Sequence, residues 1–93
     1  MIRSFRNKAT ALVFKGGLPR GLALELAIAA RRKLAMLDAA ERLDDLRLPP
    51  GNRLEALRGD RSGQHSIRIN GQWRIVFVWQ DDGAHDVEIV DYH

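Results

Sequence analysis

The last three residues of the sequence carry an acid, a phenol and an imidazole. Asp91, Tyr92 and His93 directly follow "VEIV", a stretch that predicts a strand. Chain ends usually fray, so three chemically capable groups at this place need an explanation. Imidazole titrates near neutral pH, which makes His93 a candidate acid or base. Tyr92 could stack on a nucleic-acid base or donate a proton; an aromatic at the edge of the core and a solvated terminal histidine are the structural alternatives.

Positive charge is the second chemical feature of the sequence. The chain has 15 basic and 12 acidic residues, and arginine dominates the basic ones. The guanidinium group binds phosphate through a planar, bidentate fork, and its charge is permanent. Five arginines lie between residues 49 and 74, whereas residues 75 to 93 contain acids and no lysine or arginine. A partner that carries phosphates is therefore plausible, and a solvated basic surface is the alternative.

Length and composition indicate one soluble globular domain covering residues 1–93. Hydrophobic residues make up 45% and charged residues 29%, which is ordinary for this class. No apolar run approaches a membrane span, and Met1-Ile2-Arg3 leads straight into mixed polar sequence, so we expect neither a membrane anchor nor a signal peptide. The absence of cysteine fits a cytoplasmic protein. The histidines have no ligand-like spacing and no phosphate-cradling loop is present, so we expect no metal and no cofactor.

The first half of the chain predicts a short strand followed by helices. Ile2 to Phe5 alternates weakly between apolar and polar, "NKATALVF" has helical spacing, and "KGGLPRG" breaks the pattern. A long helix is predicted from Leu22 to Ala39. Its apolar stripe consists of Ala23, Leu26, Ala30, Leu34 and Leu37. "AERLDDLRL" adds one or two further turns, which end at the proline pair after it.

After the prolines the apolar period changes to two, which is typical of strands. The predicted strands are "RLEAL", "HSIRI", "WRIVFVW" and "VEIVDY", and Asn70-Gly71 signals a hairpin between the second and third. A two-residue loop would place Arg68 opposite Trp73, whereas a three-residue loop with a bulge places Arg68 on the face of Arg74. Matching of polarity favours the second register. The predicted architecture is α+β, with an N-terminal strand and helices packed on one face of a small, mainly antiparallel twisted sheet.

One long segment resembles a known family. The pattern L-x-G-D-R-x-G-x-x-S-I-x-I-N-x-x-W-R-I-x-F from Leu57 to Phe77, together with the terminal "VEIVDYH", is similar to the HigB toxins within the RelE/ParE superfamily of type II toxin–antitoxin modules. The opening "MIRSF" and the helical "RKLAMLDAA" extend the likeness over nearly the whole chain. The resemblance implies a single domain with a RelE-like fold.

The resemblance also implies an activity and partners. A toxin of this kind enters the ribosomal A site and cleaves messenger RNA there, which inhibits translation and growth. Cleavage without metal uses the 2′-hydroxyl of the RNA as nucleophile. A HigA-like helix-turn-helix antitoxin would bind and neutralise the toxin, and operator DNA would be reached only through that antitoxin. A ParE-like gyrase poison on the same scaffold is the first alternative, and a weakened toxin that acts mainly in regulation is the second.

The family likeness assigns candidate catalytic residues. Arg58 and Arg74 match positions where such toxins carry phosphate-facing cations, although a loop charge and a cross-strand ion pair are their structural alternatives. The terminal triplet matches the family's C-terminal active-site residues, with Asp91 orienting His93 or Arg74. Glu55 departs from the pattern, since some HigB toxins have a histidine there. This carboxylate could serve as the general base or could pair with Arg58 or Arg74 and dampen the site.

Further cations are candidates for contacts with RNA phosphates or the ribosome. Arg61 could also fix a local turn with Asp60 through an ion pair. The three consecutive cations in the long predicted helix could meet ribosomal RNA or the antitoxin, or form a plain solvated face. The predicted RNA- or ribosome-binding residues are Arg53, Arg61, Arg68, Arg31, Arg32 and Lys33.

Overall fold

The computed structural model describes residues 1–92 and shows two helices packed on one face of a four-stranded antiparallel sheet. The helices are α1 (Lys8–Phe14) and α2 (Leu24–Ala39), and the strands are β1 (Glu55–Ala56), β2 (His65–Arg68), β3 (Trp73–Gln80) and β4 (Gly83–Asp91). Short 3₁₀ turns occupy Leu43–Arg47, Pro50–Asn52 and Gly59–Arg61. The strands follow one another in chain order, so the sheet is a meander. The predicted α+β architecture is confirmed.

Both predicted helices are present, with small differences at their ends. The side chain of Asn7 caps α1 by accepting a hydrogen bond from the backbone N–H of Thr10 at 2.8 Å. Helix α2 begins at Leu24 rather than at Leu22, because the backbone of Ala23 is extended and Gly21 has a φ of +85°. The buried face of α2 consists of Leu26, Ala27, Ala30, Leu34 and Leu37, so the predicted stripe is confirmed except at Ala23, which is exposed.

The predicted first strand is only partly formed. Ile2 and Phe5 make isolated parallel bridges to Ala84 and Val87 of β4, rather than a continuous ladder. Between these bridges Asp86 has a φ of +51°, and the β3–β4 register shifts between Val76 and Val78. These two irregularities interrupt the regular backbone of β4 between the bridges, where an unbroken parallel ladder would have to run. The N-terminal segment nevertheless covers the edge of β4.

The hairpin register is the predicted one. Arg68 pairs with Arg74 and Ile67 with Ile75, across a three-residue loop. Within the loop, the side-chain oxygen of Asn70 accepts hydrogen bonds from the backbone N–H groups of Gln72 and Trp73, both at 2.9 Å. The two isoleucines therefore face the helices, and the two arginines lie together on the opposite face.

The face of the sheet opposite the helices carries most of the chemically capable side chains. Glu55 pairs with Ser66, Ser66 with Val76 and Val76 with Glu88, so these four form one row across the strands. The neighbouring row consists of Arg68, Arg74 and Val90. None of the helices in the described chain is long and apolar enough to cross a membrane. We call the side of the sheet that the two helices do not cover the open face.

Candidate active site

Arg74 is the centre of the open face and is held from several directions. Its Nη2 donates to Oε1 of Glu55 at 2.6 Å, and its Nη1 donates to the hydroxyl of Ser66 at 2.6 Å. A longer contact of 3.5 Å joins Nη1 to the carbonyl oxygen of Arg53. Only 11% of the Arg74 side chain is exposed, compared with 50% for Glu55. The guanidinium group is therefore a fixed cation whose position the sheet determines.

Tyr92 lies beside Arg74 as β4 ends. The guanidinium carbon of Arg74 is 5.4 Å from the centre of the Tyr92 ring, which is a cation–π contact. Because side chains alternate along a strand, Tyr92 shares the open face with Val90 and Arg74. The residue is 42% exposed and is thus accessible to a ligand.

Hydrogen bonds hold the last described residues, Asp91 and Tyr92, against the hairpin loop. The backbone N–H of Tyr92 donates to the carbonyl oxygen of Gln72 at 2.6 Å. The side-chain amide of Gln72 lies 3.2 Å from each carboxylate oxygen of Asp91. Asp91 pairs in register with Trp73 and so belongs to the opposite side of the strand from Tyr92, because side chains alternate along a strand. His93, the third member of the predicted triplet, lies outside the described residues.

Two hollows meet at the ring of Tyr92. The first, which we call the cationic hollow, has a volume of about 300 Å³ and is lined by Arg53, Arg68 and Arg74 with the hairpin loop. The second, the acidic-side hollow, has a volume of about 600 Å³ and is lined by Glu55, Ala56, Leu57 and Arg58. An extended polymer in which charged groups alternate with planar rings could lie across both hollows. Tyr92, which lines both, would then contact one of the rings.

Five predicted site residues besides Tyr92 converge on these hollows, and others do not. The converging residues are Arg53, Arg58, Arg68, Arg74 and Glu55. Arg61 instead donates to Glu88 and to Gln64, each at 3.1 Å, so its predicted local ion pair with Asp60 is replaced by a longer-range one. The cross-strand ion pair considered for Arg74 is present, and its partner is Glu55.

The three consecutive cations of α2 separate in space. Lys33 donates to the side-chain oxygen of the buried Asn52 at 2.5 Å. Burial, and then the positive charge of Arg68, lower the pKa of Lys33. The charge of Lys33 therefore interacts with that of Arg68, which lines the cationic hollow. Arg31 and Arg32 are exposed and line a different surface together with Ile28 and Ala35.

The sequence analysis did not identify the buried residues that accept hydrogen bonds from the arginines. Ser66 is fully buried and anchors Arg74, and Glu88 is 8% exposed and accepts from Arg6 at 3.0 Å as well as from Arg61. The local signal was strand alternation, which places Ser66 on the face of Arg68 and Glu88 on the face of Val90. Among residues 1–92, no three His, Asp or Glu side chains come together in a group that could hold a metal ion.

Comparisons with known proteins point in one direction. The family model for HigB-like toxins, described as the RelE-like toxin HigB of type II toxin–antitoxin systems, matches residues 3–93. Toxin HigB-1 of Vibrio cholerae is 56% identical over 53 residues, which are 57% of this chain and 56% of that toxin. Endoribonuclease HigB of Proteus vulgaris is 31% identical over 93 residues, 100% of both chains. An uncharacterized Haemophilus influenzae protein is 38% identical over 56 residues, which are 60% of this chain and 55% of that one. The matches thus span about half of the Vibrio and Haemophilus relatives and all of the Proteus relative.

Proposed function

The chain belongs to the HigB-like family of RelE-like toxins of type II toxin–antitoxin systems, and from this premise we propose that it is a ribosome-dependent endoribonuclease that cleaves messenger RNA. Cleavage would inhibit translation and growth. The full-length similarity to a protein named Endoribonuclease HigB supports the reaction class. The observation that carries the proposal is the position of Arg74, a fixed cation that lines the cationic hollow, with the accessible side chain of Tyr92 beside it.

The proposed reaction uses the RNA itself as nucleophile. The 2′-oxygen attacks the adjacent phosphorus, its proton passes to a base, and the 5′-oxygen leaves with a proton from an acid, which gives a 2′,3′-cyclic phosphate. Arg74 and Arg58 would stabilise the negative charge that builds up on the phosphorane, which is commonly the largest contribution to catalysis. Proton transfer by positioned groups adds roughly 10²–10⁴-fold.

The acid–base assignment has two candidate bases. Glu55 borders the acidic-side hollow and its carboxylate is half exposed, which suits a group that must reach a 2′-hydroxyl. His93 is the other candidate base and a candidate acid, by its imidazole chemistry. Tyr92, whose ring lies beside Arg74, would stack on a base or donate a proton to the leaving oxygen. Asp91 would act as a positioning residue at the chain end.

The remaining cations would hold the RNA on either side of the scissile bond. Arg53 and Arg68 line the cationic hollow, and Lys33 lies close enough to Arg68 for the two charges to interact. These three cations would bind the RNA phosphates that flank the scissile phosphodiester. Arg61 would contribute less, because Glu88 already neutralises it. Arg31 and Arg32 would meet ribosomal RNA or the antitoxin from a separate surface.

The proposed partners follow from the family. A type II toxin has an antitoxin, and we propose a HigA-like helix-turn-helix protein in that role, through which operator DNA is bound indirectly. Messenger RNA in the ribosomal A site is the proposed substrate, which places the toxin in the cytoplasm. The Glu55–Arg74 ion pair favours one alternative, a weakened toxin that acts mainly in regulation, because it neutralises the central cation.

Mapping of RNA 5′ ends in cells after induction tests the proposal. We expect the wild-type toxin to produce new 5′ ends within translated codons, and Arg74→Ala to reduce them by about 10²–10³-fold, the usual loss when one transition-state donor is removed. Arg3→Ala is the matched control, since Arg3 pairs with Asp82 at the opposite end of β3.

Three results would contradict the proposal. Cleavage by Arg74→Ala at the wild-type level would show that the site is elsewhere. Absent cleavage together with a DNA damage response would favour a gyrase poison, and absent growth inhibition on strong expression would favour a regulatory role.

A further inference from the structure

We propose that Arg74 and Ser66 form a preformed binding site for one RNA phosphodiester, which we call the phosphate seat. In the free toxin the carboxylate of Glu55 occupies this site in place of the phosphate. This inference rests on the proposed RNA-binding function and deepens it. It assigns Glu55 a role in substrate admission that is separate from proton transfer. It also makes Ser66 a positioning residue of the site.

The first argument is that the seat exists before any ligand arrives. Nη1 of Arg74 is held by the buried Ser66 hydroxyl at 2.6 Å, so the guanidinium plane is fixed while Nη2 points to the Glu55 carboxylate at 2.6 Å. A guanidinium group binds carboxylate and phosphate with the same fork geometry. A non-bridging phosphate oxygen can therefore replace Oε1 of Glu55 at Nη2 of Arg74.

The second argument is that Glu55 is the partner that can move. Arg74 is 11% exposed and belongs to the central strand β3, whereas Glu55 is 50% exposed and belongs to β1, a two-residue edge strand with both side chains exposed. Rotation of the Glu55 side chain would uncover no part of the hydrophobic core. Only the Glu55 end of the pair is exposed, so water can solvate its carboxylate when it leaves, while the incoming phosphate keeps the largely buried Arg74 charge paired.

The third argument is charge balance. A phosphodiester carries one negative charge, as does the carboxylate, so exchange of one for the other keeps Arg74 neutralised. The RNA gains contacts that Glu55 lacks, because neighbouring phosphates meet Arg53 and Arg68 in the cationic hollow. A displaced Glu55 carboxylate moves into the acidic-side hollow, which Arg58 also lines. Binding of the phosphate thus releases a carboxylate next to the bond to be cleaved.

The exchange predicts which ligands enter. A single phosphodiester group carries the same charge as the Glu55 carboxylate, so replacing the carboxylate at Arg74 gives it little net binding free energy. A polynucleotide engages Arg74 together with the cationic hollow and displaces the carboxylate more effectively. The seat therefore selects for an RNA strand over isolated anions.

Binding of an uncleavable 2′-O-methyl RNA oligonucleotide, followed by fluorescence anisotropy on the purified full chain, tests the inference. We expect Glu55→Gln to bind about two- to fivefold more tightly than the wild type, the factor expected from loss of one partly exposed ion pair. Glu25→Gln changes the net charge by the same amount on an exposed turn of α2 and should have a smaller effect. In an Arg74→Ala background the gain from Glu55→Gln should vanish.

A second measurement reports on the seat directly. Inorganic phosphate is titrated while the side-chain NMR signal of Arg74 is followed, and half-saturation should occur at a lower concentration in Glu55→Gln than in the wild type. Equal or weaker RNA binding by Glu55→Gln relative to Glu25→Gln, or an unchanged phosphate response, would overturn the inference. Neither assay involves cleavage, so the two proposals can fail separately. Tighter RNA binding by Glu55→Gln, together with no RNA cleavage by the wild type in cells, would refute the proposed activity and still support the phosphate seat.

Discussion

The hydroxyl of Ser66 in β2 accepts a hydrogen bond of 2.6 Å from Nη1 of Arg74 in β3, and Ser66 is fully buried. This contact determines the direction in which the guanidinium group points, since the other hydrogen-bond partner of Nη1, the carbonyl oxygen of Arg53, is 3.5 Å away. A hydrogen bond to a charged group contributes about 1.5–3 kcal/mol. The central cation of the open face therefore depends on a small residue beneath it.

Ser66→Ala tests this dependence. We expect cleavage to fall by about tenfold or more, because the guanidinium group loses its anchor. The loss should appear mainly in kcat rather than in KM, since Arg74 still carries its charge but samples more orientations. Ser62→Ala, at an exposed loop serine, is the matched control and should cleave normally. Restoration of the rate by Ser66→Thr would support positioning, whereas an unchanged rate in Ser66→Ala would refute it.

Tyr92 is tested by a pair of substitutions. Tyr92→Phe keeps the ring over Arg74 and removes the hydroxyl, and Tyr92→Ala removes both. If the ring acts by stacking on a base, Tyr92→Phe should retain activity while Tyr92→Ala weakens RNA binding by about 1–3 kcal/mol. If the hydroxyl donates a proton, both variants should lose about 10²-fold or more in cleavage rate with unchanged binding by Tyr92→Phe. Full activity of Tyr92→Ala would exclude both roles. Binding to uncleavable RNA and single-turnover cleavage on ribosomes separate these outcomes.

Glu88 is predicted to stabilise the fold rather than to take part in cleavage. Its side chain is 10% exposed, and its carboxylate accepts from Arg6 and Arg61, which are far apart in the sequence. Glu88→Gln removes the charge between two cations, and we expect the free energy of unfolding to fall by about 1–3 kcal/mol. Urea denaturation of this variant and of Glu25→Gln measures the difference. Equal stability of the two variants would show that the network contributes nothing.

Asp45 gives the fold a dependence on acid. One of its carboxylate oxygens accepts from the backbone N–H groups of Arg42 at 3.0 Å and Glu41 at 2.9 Å. These bonds, chiefly the one from Arg42, lower the pKa of Asp45. A carboxyl group with a lowered pKa in the folded state stabilises the protein above its unfolded pKa of about 3.9, and the contribution is lost as the pH falls through the folded value.

The consequence can be measured by comparing unfolding of the wild type and Asp45→Asn across pH. The wild type should be the more stable protein at pH 7, and the difference should shrink as the pH falls below about 4. Asp81→Asn, at an exposed turn, is the matched control. A difference that stays constant down to the acid limit would contradict the role of the Asp45 charge.

Several elements could be predicted from the sequence because they follow local periodicity. The apolar stripe of α2, the alternation in β3 and the three-residue hairpin loop each depend on residues close together in the chain. The hairpin register placed Arg68 and Arg74 on one face, since a shift by one residue would have buried the arginines. Alternation likewise separated Tyr92 from Asp91. The prediction of a first strand was only partly correct, because the register shift between β3 and β4, next to the positive φ of Asp86, depends on pairing between separate strands.

What only the tertiary structure decided is how segments far apart in sequence meet. The sequence showed Glu55, Ser66 and Arg74 as three residues on three strands, but their contacts depend on strand order and on lateral register, which no local pattern encodes. The pairing of Glu88 with Arg6 and Arg61, and the approach of Lys33 to Arg68, are of the same kind. Periodicity assigns a side chain to a face, whereas its neighbours on that face are determined by packing of the whole chain.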